Sequence, residues 1–297
     1  MFRVRYLCRE MKNKPATTND YQRRINRVVE YIRMHLDETV DLRVLAELSA
    51  FSPYHFHRIV SAMLGEPIGE FIVRTRIETA ARLLRYTDVP VAEIAYRVGY
   101  DTPSSLSKAF RRFFGISPKM YRITKNRPMM NSNIQPDAGI RLSKPKIREI
   151  PVKTVAYIRA QGNYSQVDYG SYFTRLWSYV KEHKLFSAGI ENLVIYHNDP
   201  DISQDGNLRC DVCLTLPKGP VAVGDIGVKE IAGGKYAVFL YTGPYPGLGG
   251  AYKKICGEWL PESGCTLRES PCFEKYLNHP DRVPTEKLKT EIYIPLM

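Results

Sequence analysis

Two stretches of this chain, Leu42–Val60 and Val91–Phe110, repeat one pattern, and the repeat limits what the first 126 residues can fold into. Ala46 recurs as Ala95 and Phe51 as Tyr100 at an offset of 49. Phe56 recurs as Leu106 and Val60 as Phe110 at an offset of 50, so the second copy holds one extra residue in its turn. Each copy reads as a short helix with a small alanine where another helix must cross, then a tight turn, then a second helix. The second helices open on Ser52-Pro53 and Thr102-Pro103. A hydroxyl at the N-cap accepts from an orphan backbone N–H, and proline at N1 forfeits no hydrogen bond. Tyr21, Ile25, Val28, Val29, Ile32 and Leu36 add an amphipathic helix before the first copy. Ile68, Phe71, Ile72, Ala80, Ala81 and Leu84 predict a linking helix of about 17 residues, roughly 25 Å long.

In this helix-turn-helix arrangement the second helix of each copy is shaped to enter a DNA major groove. The spacing turns Phe56, Ile59, Val60 and Met63 inward in the first, and Leu106, Phe110 and Phe113 in the second. It turns Tyr54, His55, His57 and Arg58 outward in the first, and Ser104, Ser105, Ser107 and Lys108 in the second. Such side chains near a helix start reach base edges or phosphates, and Arg111, Arg112, Lys119 and Arg122 follow as phosphate contacts. Residues 1–126 hold 22 Lys/Arg against 13 Asp/Glu, whereas 127–297 hold 21 against 18. The basic surplus therefore sits where a polyanion would be met. A plain helical bundle with solvated basic faces is the competing reading, and two matching capped units argue against it. His55 and His57, two apart, diverge on a helix and do not share a metal.

The motifs Gly65-x-Pro67-Ile68, Ile94-Ala95-x-x-Val98-Gly99-Tyr100 and Phe110-Arg111-Arg112-Phe113-Phe114-Gly115-Ile116-Ser117-Pro118-x-x-Tyr121-Arg122 resemble an AraC/XylS-type DNA-binding domain over about 100 residues. The resemblance implies two recognition helices, held by the long helix, in successive major-groove segments of double-stranded DNA. It implies base reading by Tyr54, His57 and Arg58 and by Pro103, Ser104, Ser107 and Lys108. Several relatives carry Trp where Tyr54 stands and Gln at His57 and Ser104; these departures bear on which sequence is read, not on DNA binding itself. One chain covering two groove segments implies a monomer on DNA, with RNA polymerase as a partner.

Residues 1–19 carry Arg3, Arg5, Arg9, Lys12 and Lys14 without an apolar core of signal-peptide length, and read as a disordered arm in which Met11 is an alternative start. No run of 18 apolar residues exists, so no membrane span is expected and the cytoplasm is the expected compartment. Six cysteines in such a chain read as free thiols. Cys210 and Cys213 fall three apart in an apolar run, Leu208–Leu216, which as a strand points them to opposite sides and denies them a shared metal. Nothing in the chain implies a metal or a cofactor.

The predicted domains are therefore 20–126 for the helical module, 127–145 for a Pro-, Asn- and Ser-rich linker, and 146–297 for a second domain of strand texture. That domain repeats too. Arg148-Glu149-Ile150…Val155-Ala156-Tyr157 is echoed by Lys229-Glu230-Ile231…Tyr236-Ala237-Val238, and Leu208–Leu216 by Leu288–Leu296. Tyr196-His197-Asn198-Asp199-Pro200-Asp201 is echoed by Tyr276-Leu277-Asn278-His279-Pro280-Asp281. The inferred unit is β-α-β-β used twice, an α+β fold with one sheet backed by two helices. A duplicated sheet leaves a seam suited to a small molecule, with Tyr157, Trp177, Tyr196, Tyr241, Tyr245, Trp259 and Tyr276 as candidate lining. For any one of these, core packing with a satisfied hydroxyl or indole competes. Comparing the repeats isolates Glu274, which stands where the first copy has Val194. A carboxylate among aromatics invites a cationic or hydrogen-bond-donating ligand. Alternation alone leaves open an exposed Glu274 paired with Lys275 or Lys289.

Asp211-Val212-Cys213-Leu214-Thr215, Gly233-Gly234-x-Tyr236-Ala237-Val238, Gly243-Pro244-Tyr245, Trp259-Leu260-Pro261-x-Ser263-Gly264 and Phe273-Glu274-x-Tyr276 resemble GyrI-like effector-binding domains. The resemblance implies a ligand cleft in which a Glu at the position of Glu274 meets cationic, greasy compounds. The combined reading is a DNA-binding transcription regulator, an activator by resemblance, that responds to a small lipophilic or cationic effector and is not an enzyme. The alternative is a hydrolase of strained electrophiles fused to a DNA-binding module, with Glu274 and Tyr157 or Tyr245 as acid and base. No nucleophile–His–acid set supports that alternative. A third reading is a ligand-independent DNA-binding protein whose second half meets another protein.

Overall fold

The structure, a computed structural model, describes residues 18–125 and 139–297 apart from 204, 217, 218 and 269; the segment expected as an N-terminal arm, but for its last two residues, and Cys8 lie outside these. Among the described residues of the first half there are seven helices: α1 (Thr18–Met34), α2 (Leu42–Ser49), α3 (Pro53–Leu64), α4 (Ile68–Tyr86), α5 (Val91–Arg97), α6 (Pro103–Phe114) and α7 (Pro118–Lys125). They form two cores. Ile25, Val28 and Ile32 of α1 pack with Leu45, Phe56, Val60 and Phe71, while Ile77, Ala81 and Leu84 of α4 pack with Ile94, Leu106, Phe110 and Tyr121. Since α4 enters both cores, it fixes the two helix-turn-helix units relative to each other.

The two turns solve one backbone problem differently. Both need a left-handed residue, Ala50 at φ 51° in the first and Gly99 at φ 77° in the second. At Gly99 an added Cβ would lie 2.0 Å from the Leu36 carbonyl oxygen, so glycine alone fits there. The caps differ as well. The Thr102 hydroxyl accepts from the Ser105 N–H at 3.1 Å, but Ser52 makes no side-chain cap bond. There the Ser52 carbonyl takes the N–H groups of His55 and Phe56, and Pro53 sets the first helical φ. Phe113, expected inward, is 39% exposed. The apolar stripe of α6 runs at four-residue steps through Leu106 and Phe110 to Phe114, whose ring lies 4.8 Å from that of Phe110.

The second half is one antiparallel sheet with helices on one face. Its elements are β1 (Arg141–Leu142), β2 (Lys146–Ile150), β3 (Lys153–Gln161), α8 (Tyr169–Glu182), β4 (Asn192–Tyr196), β5 (Arg209–Thr215), β6 (Gly227–Ile231) and β7 (Gly234–Thr242). Then come α9 (Leu248–Lys254), continued by a π-helical turn (Ile255–Trp259) into α10 (Leu260–Ser263), and the strands β8 (Phe273–Tyr276) and β9 (Lys289–Pro295). The strand order is β1-β7-β9-β8-β4-β5-β3-β6, with β2 also paired to β7. The repeats β3-α8-β4-β5 and β7-α9-β8-β9 thus join through β4 and β8, while β1, β2 and β6 extend the sheet. Arg141–Leu142 falls in the span expected as linker and instead adds an edge strand opposite Tyr241 and Thr242.

Alternation gives the sheet two unlike faces. Ala156, Ile158, Val194, Cys210 and Val212 pack under α8, and Ala237, Phe239 and Ile292 under α9 and α10. Tyr157, Leu193, Cys213, Tyr236 and Phe273 form the core of the other face. Cys210 and Cys213 therefore point to opposite sides and, with Cys256, Cys265 and Cys272, are free thiols. The helical module docks on the face that bears Arg159 and Asp211, through α1 and α4. The turn after β4 reaches furthest: Ile202 joins the core of the second helix-turn-helix unit, and Asp199 accepts from the Tyr86 hydroxyl at 2.6 Å. Among the described residues no helix is long and apolar enough to cross a membrane.

Candidate functional site

On α6, Ser104, Lys108, Arg111 and Arg112 are exposed and Pro103 and Ser107 half-buried, and the six line one open depression. On α3, His57 and Arg58 are exposed; the Tyr54 side chain lies outside what the structure describes. The docked second domain leaves these side chains uncovered. Lys119 is also exposed, but Arg122, expected on phosphate, instead donates to the carbonyls of Leu84 at 3.4 Å and Val89 at 2.5 Å. It ties α7 to α4, a role that helical periodicity does not reveal.

Val194 and Glu274, equated by the repeat, are direct partners across the β4–β8 seam. Glu274 turns to the helix-covered face and is 1% exposed. The hydroxyls of Tyr276 and Tyr196 both donate to its Oε2, at 2.7 and 3.2 Å. Tyr245 meets Tyr276 in a T-shaped contact at 5.3 Å between ring centroids, and Phe173 of α8 does so at 6.1 Å. The buried Tyr252 hydroxyl of α9 lies near the same carboxylate; burial, and then the Glu274 charge, push this phenol well up. Burial pushes the Glu274 carboxyl up to about 7, against the lowering effect of the tyrosine donors. No basic side chain among the described residues pairs with it, and Lys275, on the opposite face, pairs with Glu191 at 2.6 Å. The exposed alternative for Glu274 is thereby removed.

The structure groups Glu274 with Tyr196, Tyr245 and Tyr276, packs Trp177 in the same core as Tyr196 and Tyr276 and packs Tyr241 and Trp259 in the same core as Tyr245; Tyr157 leaves this face. Trp177 of α8 donates to Asn192 Oδ1 at 3.3 Å, and Trp259 packs edge-on against Phe239 at 5.0 Å. Tyr241 is buried with its hydroxyl donating to the Pro244 carbonyl at 2.8 Å. Tyr157 stands on the other face, beneath Arg159 and Lys229, because odd positions of β3 point away from α8. Phe173 and Tyr252 were missed by sequence reasoning. Both lie on helices, and the strand-by-strand comparison of repeats carries no signal for which helical positions reach the seam.

The docking face holds a second cluster of charge. Arg159 Nε donates to Asp211 Oδ1 at 2.7 Å, and its Nη2 to Glu30 Oε1 of α1 at 2.5 Å. Lys229 also holds Asp211, and His197 Nε2 lies 2.6 Å from Asp211 Oδ2. Burial alone would raise the Glu30 carboxyl, but Arg159 and Lys229 bring it down to about 2. Burial, with Lys229 and Arg33 beside it, drops His197 to about 3, so the imidazole is neutral. Glu30, His197 and Asp211 bring ligand atoms within 4.8 Å of one another, as in a metal site. One guanidinium, Arg159, and one ammonium, Lys229, already neutralise these carboxylates, so the donor set does not fit a cation.

Two exposed recognition helices beside a sheet with a buried, cation-free carboxylate define a DNA-binding regulator with a small-molecule domain. Residues 143–297 match the GyrI-like small molecule binding domain and 45–123 a helix-turn-helix domain. The chain belongs to the GyrI-like family and is an AraC-type transcription regulator. It is 33% identical over 100 residues to the HTH-type transcriptional activator AarP of Providencia stuartii, covering 34% of this chain and 74% of that one. It is 31% identical over 135 residues to an HTH-type transcriptional regulator of Staphylococcus aureus (strain COL), covering 46% of this chain but only 18% of the relative. Among solved structures, the DNA-binding domain of AdpA in complex with a target DNA is 33% identical, covering 35% of this chain and 96% of that one, TM-score 0.34. The EcmrR C-terminal domain is 19% identical, covering 54% of this chain and 98% of that one, TM-score 0.42.

Proposed function

We propose that this regulator is an activator switched by a lipophilic cation that pairs with Glu274. The observation that carries the reading is a carboxylate 1% exposed, ringed by tyrosines and without a cationic partner among the described residues. A ligand cation supplies the missing charge, and the faces of Tyr196, Tyr245 and Tyr276 add cation–π attraction. On DNA, Arg58, His57, Ser104, Ser107 and Lys108 reach base edges and Arg111 and Arg112 reach phosphates, with Tyr54 and Pro103 completing the two reading surfaces. One chain carries both helices, so it acts as a monomer on DNA, in the cytoplasm, and recruits RNA polymerase. The name of the Providencia relative supports activation over repression.

Effector and DNA are linked because the ligand binds the two arrangements of the domains with different affinity. Tyr196, on the effector side, is followed directly by His197, which joins the Arg159–Glu30 cluster under α1. The test is equilibrium binding of lipophilic quaternary amines to the full chain and to Glu274→Gln. Affinity should fall at least about tenfold in the variant, the loss of one charge-assisted contact. Unchanged affinity rejects the charge anchor. A carboxyl near 7 beside phenol hydroxyls is also poised for acid–base work, so turnover of an electrophilic ester that vanishes in Glu274→Gln would favour the hydrolase reading.

A further inference from the structure

Between the first helix-turn-helix unit and the sheet lies a cavity of about 110 Å³ whose wall is rich in arginine. Arg74 comes from α4, Arg159 from β3 and Arg209 from the start of β5, with the amides of Asn26 and Gln161 beside them. Arg209 is 5% exposed, yet its Nε and Nη2 have no hydrogen-bond partner among the described residues, and neither has Nη1 of Arg159. The Arg209 guanidinium lies over the Phe71 ring at 5.0 Å. Burial and the fields of Arg33, Arg159 and Arg74 all oppose its charge. Guanidinium does not give up its proton in proteins, so the charge stays. The neighbouring carboxylates are already engaged: Glu66 and Glu78 with Arg74, and Glu30 and Asp211 with Arg159 and Lys229.

Water at about 30 Å³ per molecule could fill the volume and meet the donors, but it would leave the charge unanswered. We infer that this cavity is a site for a small oxyanion, a phosphate or carboxylate group, held by the Nε–Nη2 fork of Arg209 and by Nη1 of Arg159. Parallel N–H donors of guanidinium match two oxygens of such a group. Asn26, whose Oδ1 accepts from Gln22 at 3.2 Å, contributes its NH₂ donor. The site lies on the opposite face of the sheet from Glu274 and is independent of it. Its wall also includes Met63 and Leu64 at the end of α3, so an occupant ties the first recognition helix to the second domain. Whatever binds across two domains stabilises the arrangement that holds both.

Full-length protein in chloride buffer of fixed ionic strength, titrated separately with inorganic phosphate and with acetate, tests the site by calorimetry and by thermal midpoint. At least one probe should bind saturably and raise the midpoint, and preference between them identifies the source group. Arg209→Met should weaken that binding at least about tenfold. Arg209→Lys keeps the charge but not the fork, folds with the least perturbation, and should lose most of the affinity. A response that never saturates, or that persists unchanged in both variants, would overturn the proposal. So would crystals soaked in saturating phosphate and, separately, acetate that show only water beside Arg209.

Discussion

Glu274 differs from its repeat partner Val194 by a carboxyl group, and that group carries the chemistry of the seam. Its folded-state pKa is raised from 4.5 to about 7. The stability that the protonated carboxyl contributes is therefore complete below about pH 4.5 and is lost as pH rises through 7, to a total of about 3 kcal/mol. Glu274→Gln should flatten this dependence, leaving the variant at least as stable as the parent at pH 8 in the absence of effector. Denaturant unfolding at pH 5 and pH 8 checks it. A cation prefers the ionised form, so its affinity should rise about tenfold between pH 6 and pH 8 in the parent and stay level in the variant. Sequence pattern singled out this residue but left its face open. Only the seam, with Tyr276 and Tyr196 donating to one oxygen, decided it.

At the scale of single elements, α3 and α6 look alike in sequence and differ in how they start. Thr102→Ala should cost about 1 kcal/mol, since a cap bond at 3.1 Å is lost, and Ser52→Ala much less. Paired urea curves give the comparison. Replacing Arg58 or Lys108 by alanine should weaken operator binding, and replacing Arg111 should do so equally on any sequence, with the salt slope falling by about one. Gel-shift titrations at several salt concentrations separate the two effects. The helices α1 to α6 were legible because they need only a period of 3.6 and good stop signals. Phe113 and Arg122 were misread for a common reason: where a helix docks decides which of two neighbouring positions turns inward, and docking is not local. Tyr157 went to the wrong face because a strand pattern says which residues share a side, not which side receives the helices.

For the whole molecule, the docking of the two halves was invisible in the sequence, because it depends on residues far apart in the chain. Glu30 meets Arg159, Glu78 accepts from Asn198 at 3.1 Å, and Arg85 pairs with Asp201 at 2.7 Å. Removing the Glu30 carboxylate strands the buried Arg159 guanidinium it holds. Combining Ile202→Ala with Glu30→Gln should therefore cost a few kcal/mol and split a single calorimetric transition into two. A single sharp transition in the double variant would mean that the halves do not depend on this contact. Tyr196 and His197, one peptide apart, face opposite sides of the sheet, one toward Glu274 and the other toward the helical module. If an effector does pair with Glu274 as proposed, its signal reaches the helical module across the thickness of a single strand, from one residue to the next.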